Sequence, residues 1–371
     1  MIDCDVHNSW SSAEDLLPYL EPFWRDYMQR GELPGPRGAF PHAHRPWLHP
    51  EGFVRTDLTG DGNPGAHWDV MQAKLLDRHN LDYTILLGEE AIEVSTLANP
   101  HYATALARAY NDYLIHEWLP RDPRLKGSLV IAPQDPEGAA AEIRRIGEHP
   151  HIVQVLMSSG STRPYGDRFY HPIWQAAAEV GLPVAIHLGG QGGLNANPIG
   201  CGPTTYFWET HALLCETGMA HVASTIANGV FEKWPRMKLV VIECGVAWVA
   251  PILWRLDADY KALRKETPWL KRLPSEYARE HIRFGTQPLE QPAKVEHLWS
   301  LLEAMDGKHT LLYCSDYPHW DYDDPAQIKL PPGWKEHVFD LNARSVYTRL
   351  PPGNANGVGE QQQATSSPVS G

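Results

Sequence analysis

The sequence predicts an α/β chain folded as one (β/α)8 TIM barrel with a long insertion after its first strand. Eight short runs have the length and composition of buried parallel strands: 1–6, 82–87, 127–132, 152–157, 183–188, 238–243, 282–286 and 310–315. Segments of helical character lie between them, at 66–79, 100–118, 136–148, 169–180, 209–231, 247–263 and 291–305. Strand and helix alternating this often implies a parallel sheet covered by helices, and eight repeats suit a closed barrel.

The first strand, Ile2-Asp3-Cys4-Asp5-Val6-His7, alternates its faces, so its odd positions share one side. Asp5 and His7 come last on that side and converge on the C-terminal mouth, where such barrels do their chemistry. Residues 8–65 then delay the first helix. They are rich in Pro, Gly, His and Trp, and a connection this long is expected to serve function, here as a lid-like insertion within one domain spanning 1–350. Glu89 and Glu90, just beyond the second strand, read as a solvated turn.

The fifth strand, Pro183-Val-Ala-Ile-His187, ends on a histidine, and His211 lies near the start of the following helix, facing the mouth. His221 sits ten residues further, roughly 15 Å along a helix rising 1.5 Å per residue, too deep to join it. The sixth strand ends at Glu243, where burying an unpaired carboxylate would cost about several kcal/mol, so a positive partner is expected. Asp316 follows the eighth strand in Cys314-Ser-Asp316-Tyr-Pro-His319-Trp-Asp321; His319 reads as packing beneath that loop. Residues 351–371 carry almost no apolar material and are expected to be a disordered tail.

Composition narrows the function. Lys and Arg number 32 against 45 Asp and Glu, a formal charge of −13, which argues against nonspecific partners among nucleic acids or anionic membranes. Residues 246–254 form the longest nearly apolar stretch, short of the roughly 20 residues needed to cross a bilayer. The start lacks a basic region followed by an apolar one, and the five cysteines form no C-x-x-C pair, so a reducing cytoplasm is expected. No G-x-G-x-x-G, Walker or G-x-S-x-G motif supports a nucleotide cofactor or a serine hydrolase.

The strand ends say more together than singly. Four strands each bring an acid or a histidine to one end, a ligand set for a borderline-to-hard transition metal. A rim held by salt bridges is the alternative, but Asp5, Glu243 and Asp316 find no basic partner at those strand ends.

These residues also carry a resemblance. The I-D-x-D-x-H start, A-I-H-L-G-G, the segment from Gly229 reading G-V-F-E-K-W-P-R-M-K-L-V-V-I-E-C-G, and the closing S-D-Y-P-H resemble the metal-dependent amidohydrolase superfamily. The similar branch includes aminocarboxymuconate-semialdehyde decarboxylase. The resemblance implies that Asp5, His7, His187 and Asp316 occupy metal-ligand positions. Two departures stand out: the branch usually opens with H-x-H, and it usually has an acid–base histidine after strand six, where this chain has Glu243.

Counting charges, Asp5, Glu243 and Asp316 exceed one divalent ion by a unit, and carboxylates bridge metals, so the cluster leans toward a dinuclear iron or manganese site. Glu243 and His211 complete the expected ligand set. The pattern resembles an offshoot of the same barrel, the nonheme diiron monooxygenases of platensimycin-type diterpenoid biosynthesis. That resemblance implies two iron ions, O2, an external electron donor, and an oxidoreductase hydroxylating a CoA-linked, terpenoid-like acyl group. The alternative is a mononuclear zinc or manganese hydrolase or decarboxylase with Glu243 as catalytic acid or base. Trp208, Trp248 and Trp320 are expected to wall an apolar substrate cup. Arg255, Arg264, Lys265, Lys271 and Arg272 read either as a grip for CoA phosphates or as a solvated helix face. Self-association into a homo-oligomer stays open.

Overall fold

The computed structural model describes residues 1–29, 54–55, 57–58, 65–190, 205–213 and 215–351. Eight parallel strands run in chain order around one sheet: β1 (Ile2–Val6), β2 (Tyr83–Leu86), β3 (Leu125–Val130), β4 (Ile152–Ser158), β5 (Val184–His187), β6 (Leu239–Ile242), β7 (Ile282–Gly285) and β8 (Leu311–Leu312). Each overlaps one of the expected runs, with β3 beginning two residues earlier and β8 reduced to two residues. Closure comes from β1 meeting the end of β8, with Cys4 N donating to Tyr313 O at 2.9 Å, Asp316 N to Asp5 O at 3.1 Å and His7 N to Tyr317 O at 2.8 Å. The structure is therefore the (β/α)8 barrel expected. The strands are almost wholly buried because helices cover the sheet from outside, as an all-parallel sheet requires.

The helices start where the sequence supplies caps. Asn99 accepts at Oδ1 from His101 N and Tyr102 N, both at 3.1 Å, ahead of Pro100–Tyr113. Asp135 accepts from Gly138 N at 3.1 Å ahead of Pro136–Ile146. The expected helix at 209–231 is broken into Phe207–Ala212, Cys215–Ala227 and Val230–Lys233. The second break follows from Gly229, whose φ of 71° suits glycine and whose added Cβ would come within 2.6 Å of Trp269. A helix that the sequence reading passed over, Pro274–His281, lies between β6 and β7, with Pro at its first turn and Glu276 accepting from Leu273 N at 2.8 Å.

The chain's last described segment seals the N-terminal end of the barrel. The buried Tyr347 hydroxyl donates to Gln154 at 3.0 Å, and Gln154 donates to Ser128 Oγ at 2.9 Å. Arg349 donates to the carbonyls of Ile152 at 3.0 Å and Val180 at 2.6 Å, and to that of Gly147. The opposite end carries the strand-end acids and histidines. Part of the insertion lies on the barrel's flank: Tyr19 donates to Glu117 at 2.8 Å, and the rings of Trp24 and Tyr27 meet Tyr102 at 5.4 and 5.0 Å. Val54 and Arg55 return to the mouth, where Arg55 N donates to Pro318 O at 2.9 Å. The rest of the lid expectation, 30–53, 56 and 59–64, and the tail from 352 lie outside the described residues. Among the described residues no helix is long and apolar enough to cross a membrane, and Cys4, Cys215, Cys244 and Cys314 are free thiols.

His221 is buried and is held as a neutral ring. Its Nδ1 accepts from Tyr165 N at 3.1 Å while Nε2 faces the Ser159 carbonyl at 2.8 Å. Burial lowers its pKa from 6.5 to about 4. A folded pKa below the unfolded one means that stability is complete above pH 6.5 and falls as the pH drops from there toward 4. The loss should be on the order of 3 kcal/mol. Urea midpoints measured from pH 7 to pH 4 should show a slope that His221→Gln reduces by about that amount, and an unchanged slope would refute the assignment.

Candidate metal centre

The cup is built from strand ends. β1 carries an extra residue relative to β2 between Asp3 and Val6, and this local bulge helps aim Asp5 and His7 into the mouth. Asp3 is used structurally: its Oδ1 accepts from Ser315 N at 3.0 Å, tying β1 to β8, and burial raises its pKa to about 8. His187 ends β5 in register with Ser158 on β4 and Ile242 on β6. Glu243 and Asp316 have left-handed backbones, φ 56° and 58°, just past β6 and β8. Non-glycine residues held so cost about 1–3 kcal/mol each, a strain usually found where a side chain must be aimed.

Four side chains meet there. His7 Nε2 lies 3.3 Å from Asp5 Oδ1 and 3.1 Å from Asp316 Oδ1, and His187 Nε2 lies 3.5 Å from Asp5 Oδ1 and 3.2 Å from Glu243 Oε2. Asp5, His7, His187 and Asp316 each offer a ligand atom within 4.8 Å of the others, and all four are buried. Both carboxylate oxygens of Asp5 and of Asp316, and Nε2 of His7 and of His187, make no well-directed hydrogen bond. Buried polar atoms left so are costly unless something else satisfies them. His187 is oriented by its other nitrogen, Nδ1, 2.5 Å from the Leu188 carbonyl, leaving Nε2 for the cup. Two carboxylates and two imidazoles fit a divalent transition ion of the zinc or manganese kind.

Electrostatics separates the acids. Burial opposes ionisation of Asp5, but His187 and His7 hold its carboxyl well below the usual range. Burial, reinforced by the charges of Asp316 and Asp5, pushes Glu243 well above it. Burial would keep His7 neutral, yet Glu89, Asp316 and Asp5 push its pKa up; His319 is raised likewise by Asp316 and Glu89 against burial.

Several expectations change. Glu89 is no solvated turn: its Oε2 lies 2.9 Å from His7 Nδ1 and 3.0 Å from His319 Nε2. His319 does more than pack, since its Nδ1 lies 2.6 Å from Asp316, and His7, Glu243, Asp316 and His319 form a second, overlapping cluster of donors. The S-D-Y-P-H spacing held the signal for His319; nothing local in sequence marked Glu89. His211 is outside both clusters and pairs with Asp321 at 3.0 Å, because its helix carries it toward the loop after β8. Trp208 and Trp320 stand exposed by 70% and 48%, where walls of a cup were expected, and Trp320 sets its ring against His211. Trp248 is buried, its N–H donating to Cys244 O at 2.7 Å, with its ring against Phe284, so it supports the β6 turn from behind. Arg255 pairs with Asp259 on one helix face, while Lys271 and Arg272 lie outside any helix and pair with Glu232 and Glu280.

Binding an ion to this cup should stabilise the fold. Manganese or zinc at about a hundred times Kd should add about 2.7 kcal/mol and raise the melting temperature of metal-free protein. The shift should disappear in His187→Ala and Asp316→Asn; a wild-type melting temperature indifferent to both ions would count against the site.

Comparison with known proteins agrees with the barrel and revises the chemistry. A gamma-resorcylate decarboxylase of Rhodococcus jostii is 29% identical over 219 residues, covering 52% of this chain and 64% of that protein, so the match spans less than two thirds of its length. A gamma-resorcylate decarboxylase of Polaromonas is 26% identical over 278 residues, covering 69% of this chain and 78% of the other. Among solved structures, 5-carboxyvanillate decarboxylase from Sphingomonas paucimobilis superposes with a TM-score of 0.65 at 21% identity, covering 94% and 98% of the two chains. A dihydroxybenzoic acid decarboxylase from Polaromonas, with bound manganese and 2-nitroresorcinol, gives 0.63 at 17%, covering 94% and 96%. At these identities the superpositions speak for the fold alone.

The decarboxylase relatives overturn the expected diiron monooxygenase: lyases stand where an oxidoreductase was expected, and two irons and an acyl-CoA find no support. The charge count misled because it took Glu243 as ionised, whereas its burial favours the protonated form. Asp5 and Asp316 then balance one divalent ion. The amidohydrolase family matches residues 2–349, nearly the whole chain, and the chain belongs to that family.

Proposed function

We propose that this chain is a metal-dependent decarboxylase, a lyase using one manganese or zinc ion to remove CO2 from a hydroxylated aromatic acid. The buried cluster of Asp5, His7, His187 and Asp316 carries this reading, and the gamma-resorcylate, 2,6-dihydroxybenzoate and 5-carboxyvanillate decarboxylase relatives support its direction. An ion held by these four side chains would supply Lewis acidity toward the oxygens of a bound acid.

The remaining work falls to the protein. When the carbon–carboxylate bond breaks, the ring carbon keeps the electron pair and must gain a proton. Glu243 is placed to give it: Oε2 is at the cup, 3.2 Å from His187 Nε2, and burial keeps the carboxyl protonated to higher pH than an ordinary glutamate. After release of CO2, Glu243 is left as the carboxylate and regains its proton from solvent. The buried walls exclude water, and Trp208 and Trp320 offer ring faces at the rim for a flat substrate.

Protein reconstituted with manganese or zinc and kept free of oxygen should release CO2 from 2,6-dihydroxybenzoate or 5-carboxyvanillate. In Glu243→Gln, kcat should fall roughly 10²- to 10⁴-fold while metal content stays near the wild-type value. Turnover that requires O2, or no CO2 from either acid, would refute the proposal; loss of metal in Glu243→Gln would recast Glu243 as a ligand.

A further inference from the structure

We infer that Glu89 is a positioning residue for the metal ion, setting which nitrogen of His7 carries the hydrogen and bracing Asp316 through His319. The inference rests on the metal reading above. A single oxygen, Glu89 Oε2, lies 2.9 Å from His7 Nδ1 and 3.0 Å from His319 Nε2. The far nitrogens of both rings turn toward Asp316 Oδ1, His7 Nε2 at 3.1 Å and His319 Nδ1 at 2.6 Å. One carboxylate thus stands behind two of the four donors.

The approach to His7 is close though off the ring's N–H axis, and its sign is still decisive. A carboxylate oxygen offers only lone pairs. An imidazole nitrogen held against it is repelled unless that nitrogen bears the hydrogen. Glu89 therefore favours hydrogen on Nδ1, so that Nε2 is the nitrogen that gives up its hydrogen and offers its lone pair when an ion enters the cup. The Leu188 carbonyl does the same for His187, so both imidazoles are prepared alike.

Glu89 is put there by specific local structure. Asn8, the residue after His7, accepts from Glu89 N at its carbonyl, 2.9 Å, and from Gly88 N at its side chain, 3.2 Å. The same side-chain oxygen accepts from Tyr110 at 3.1 Å. Gly88 has φ of 74°, and a Cβ there would come within 2.4 Å of the Tyr110 ring, so the turn carrying Glu89 is fitted to glycine. His7 and Glu89 are thereby fastened through one asparagine.

The test compares Mn(II) binding to metal-free wild type and Glu89→Gln, read from the electron paramagnetic resonance of free Mn(II). Glutamine keeps the size but can turn an N–H toward His7. The expected Kd is roughly 10- to 100-fold weaker, with the melting temperature of the metal-free protein unchanged. Equal Kd values overturn the inference, and so does a weaker Kd that appears only with a lowered melting temperature. Imidazole ¹⁵N spectra of zinc-loaded wild type, with the His7 ring assigned by its loss in His7→Gln, give an answer that needs no Glu89 variant: hydrogen on Nδ1 with Nε2 on the ion supports the inference, and hydrogen on Nε2 overturns it. Wild type that binds Mn(II) in a Glu89-dependent way yet decarboxylates nothing refutes the proposed function and leaves Glu89 in place. Wild type that binds no divalent ion overturns both.

Discussion

The mouth of this barrel is organised by the desolvation of two carboxylates. Asp5 and Asp316 are fully buried, and neither has a well-directed hydrogen bond to any of its carboxylate oxygens. Water is kept away by the same strands that deliver them. Leaving such charges uncompensated would cost several kcal/mol, so the surroundings must answer with positive charge. The imidazoles of His7 and His319, both drawn toward their cations, are the answer within the chain, and a divalent ion is a stronger one. The left-handed turns at Glu243 and Asp316 fit this picture, because a strained backbone persists only where the surrounding structure holds it.

Most of the fold was legible because parallel β/α repeats write themselves plainly. Buried strands such as Leu239–Ile242 are continuous apolar runs, and capped helices begin at visible Asn-Pro and Asp-Pro pairs. The candidate cluster was legible for a related reason: Asp5, His7, His187 and Asp316 sit at or just beyond strand ends, where position along the strand fixes position in space. Residues on loops and helices were harder. Glu89 follows β2 by only a few positions, but its turn is shaped by Gly88, Asn8 and Tyr110, which are far apart in the chain. His211 failed in the opposite way: a helix start near the mouth suggested a ligand, and the direction of a short helix gave it to Asp321 instead.

The functional misreading has an instructive physical cause. Metal number was inferred from formal charge, with every acid counted as ionised. Inside a protein the charge state of an acid is set by its surroundings, and two acids a few ångströms apart can end in different states. Asp5 faces two imidazoles and is held ionised; Glu243 is buried beside other acids and is driven toward its neutral form. On the proposed reading, the same residues that suggested two ions would hold one ion and a proton.

That division also gives sense to a glutamate after β6, where the resemblance implied a histidine. A histidine in a buried, acid-rich mouth would be drawn toward its cation by the neighbouring carboxylates, and as a cation it would compete with a metal for them. A glutamate in the same place is driven toward neutrality by those neighbours, so it can hold a proton without adding positive charge next to the ion. Its acidity is then governed by how much negative charge remains at Asp5 and Asp316, which is the quantity a bound ion changes most. A proton donor at Glu243 and an ion at Asp5, as proposed, would be electrically linked across His187, which lies within 3.5 Å of both side chains, and the chemistry of the mouth would belong to the group of residues rather than to any one of them.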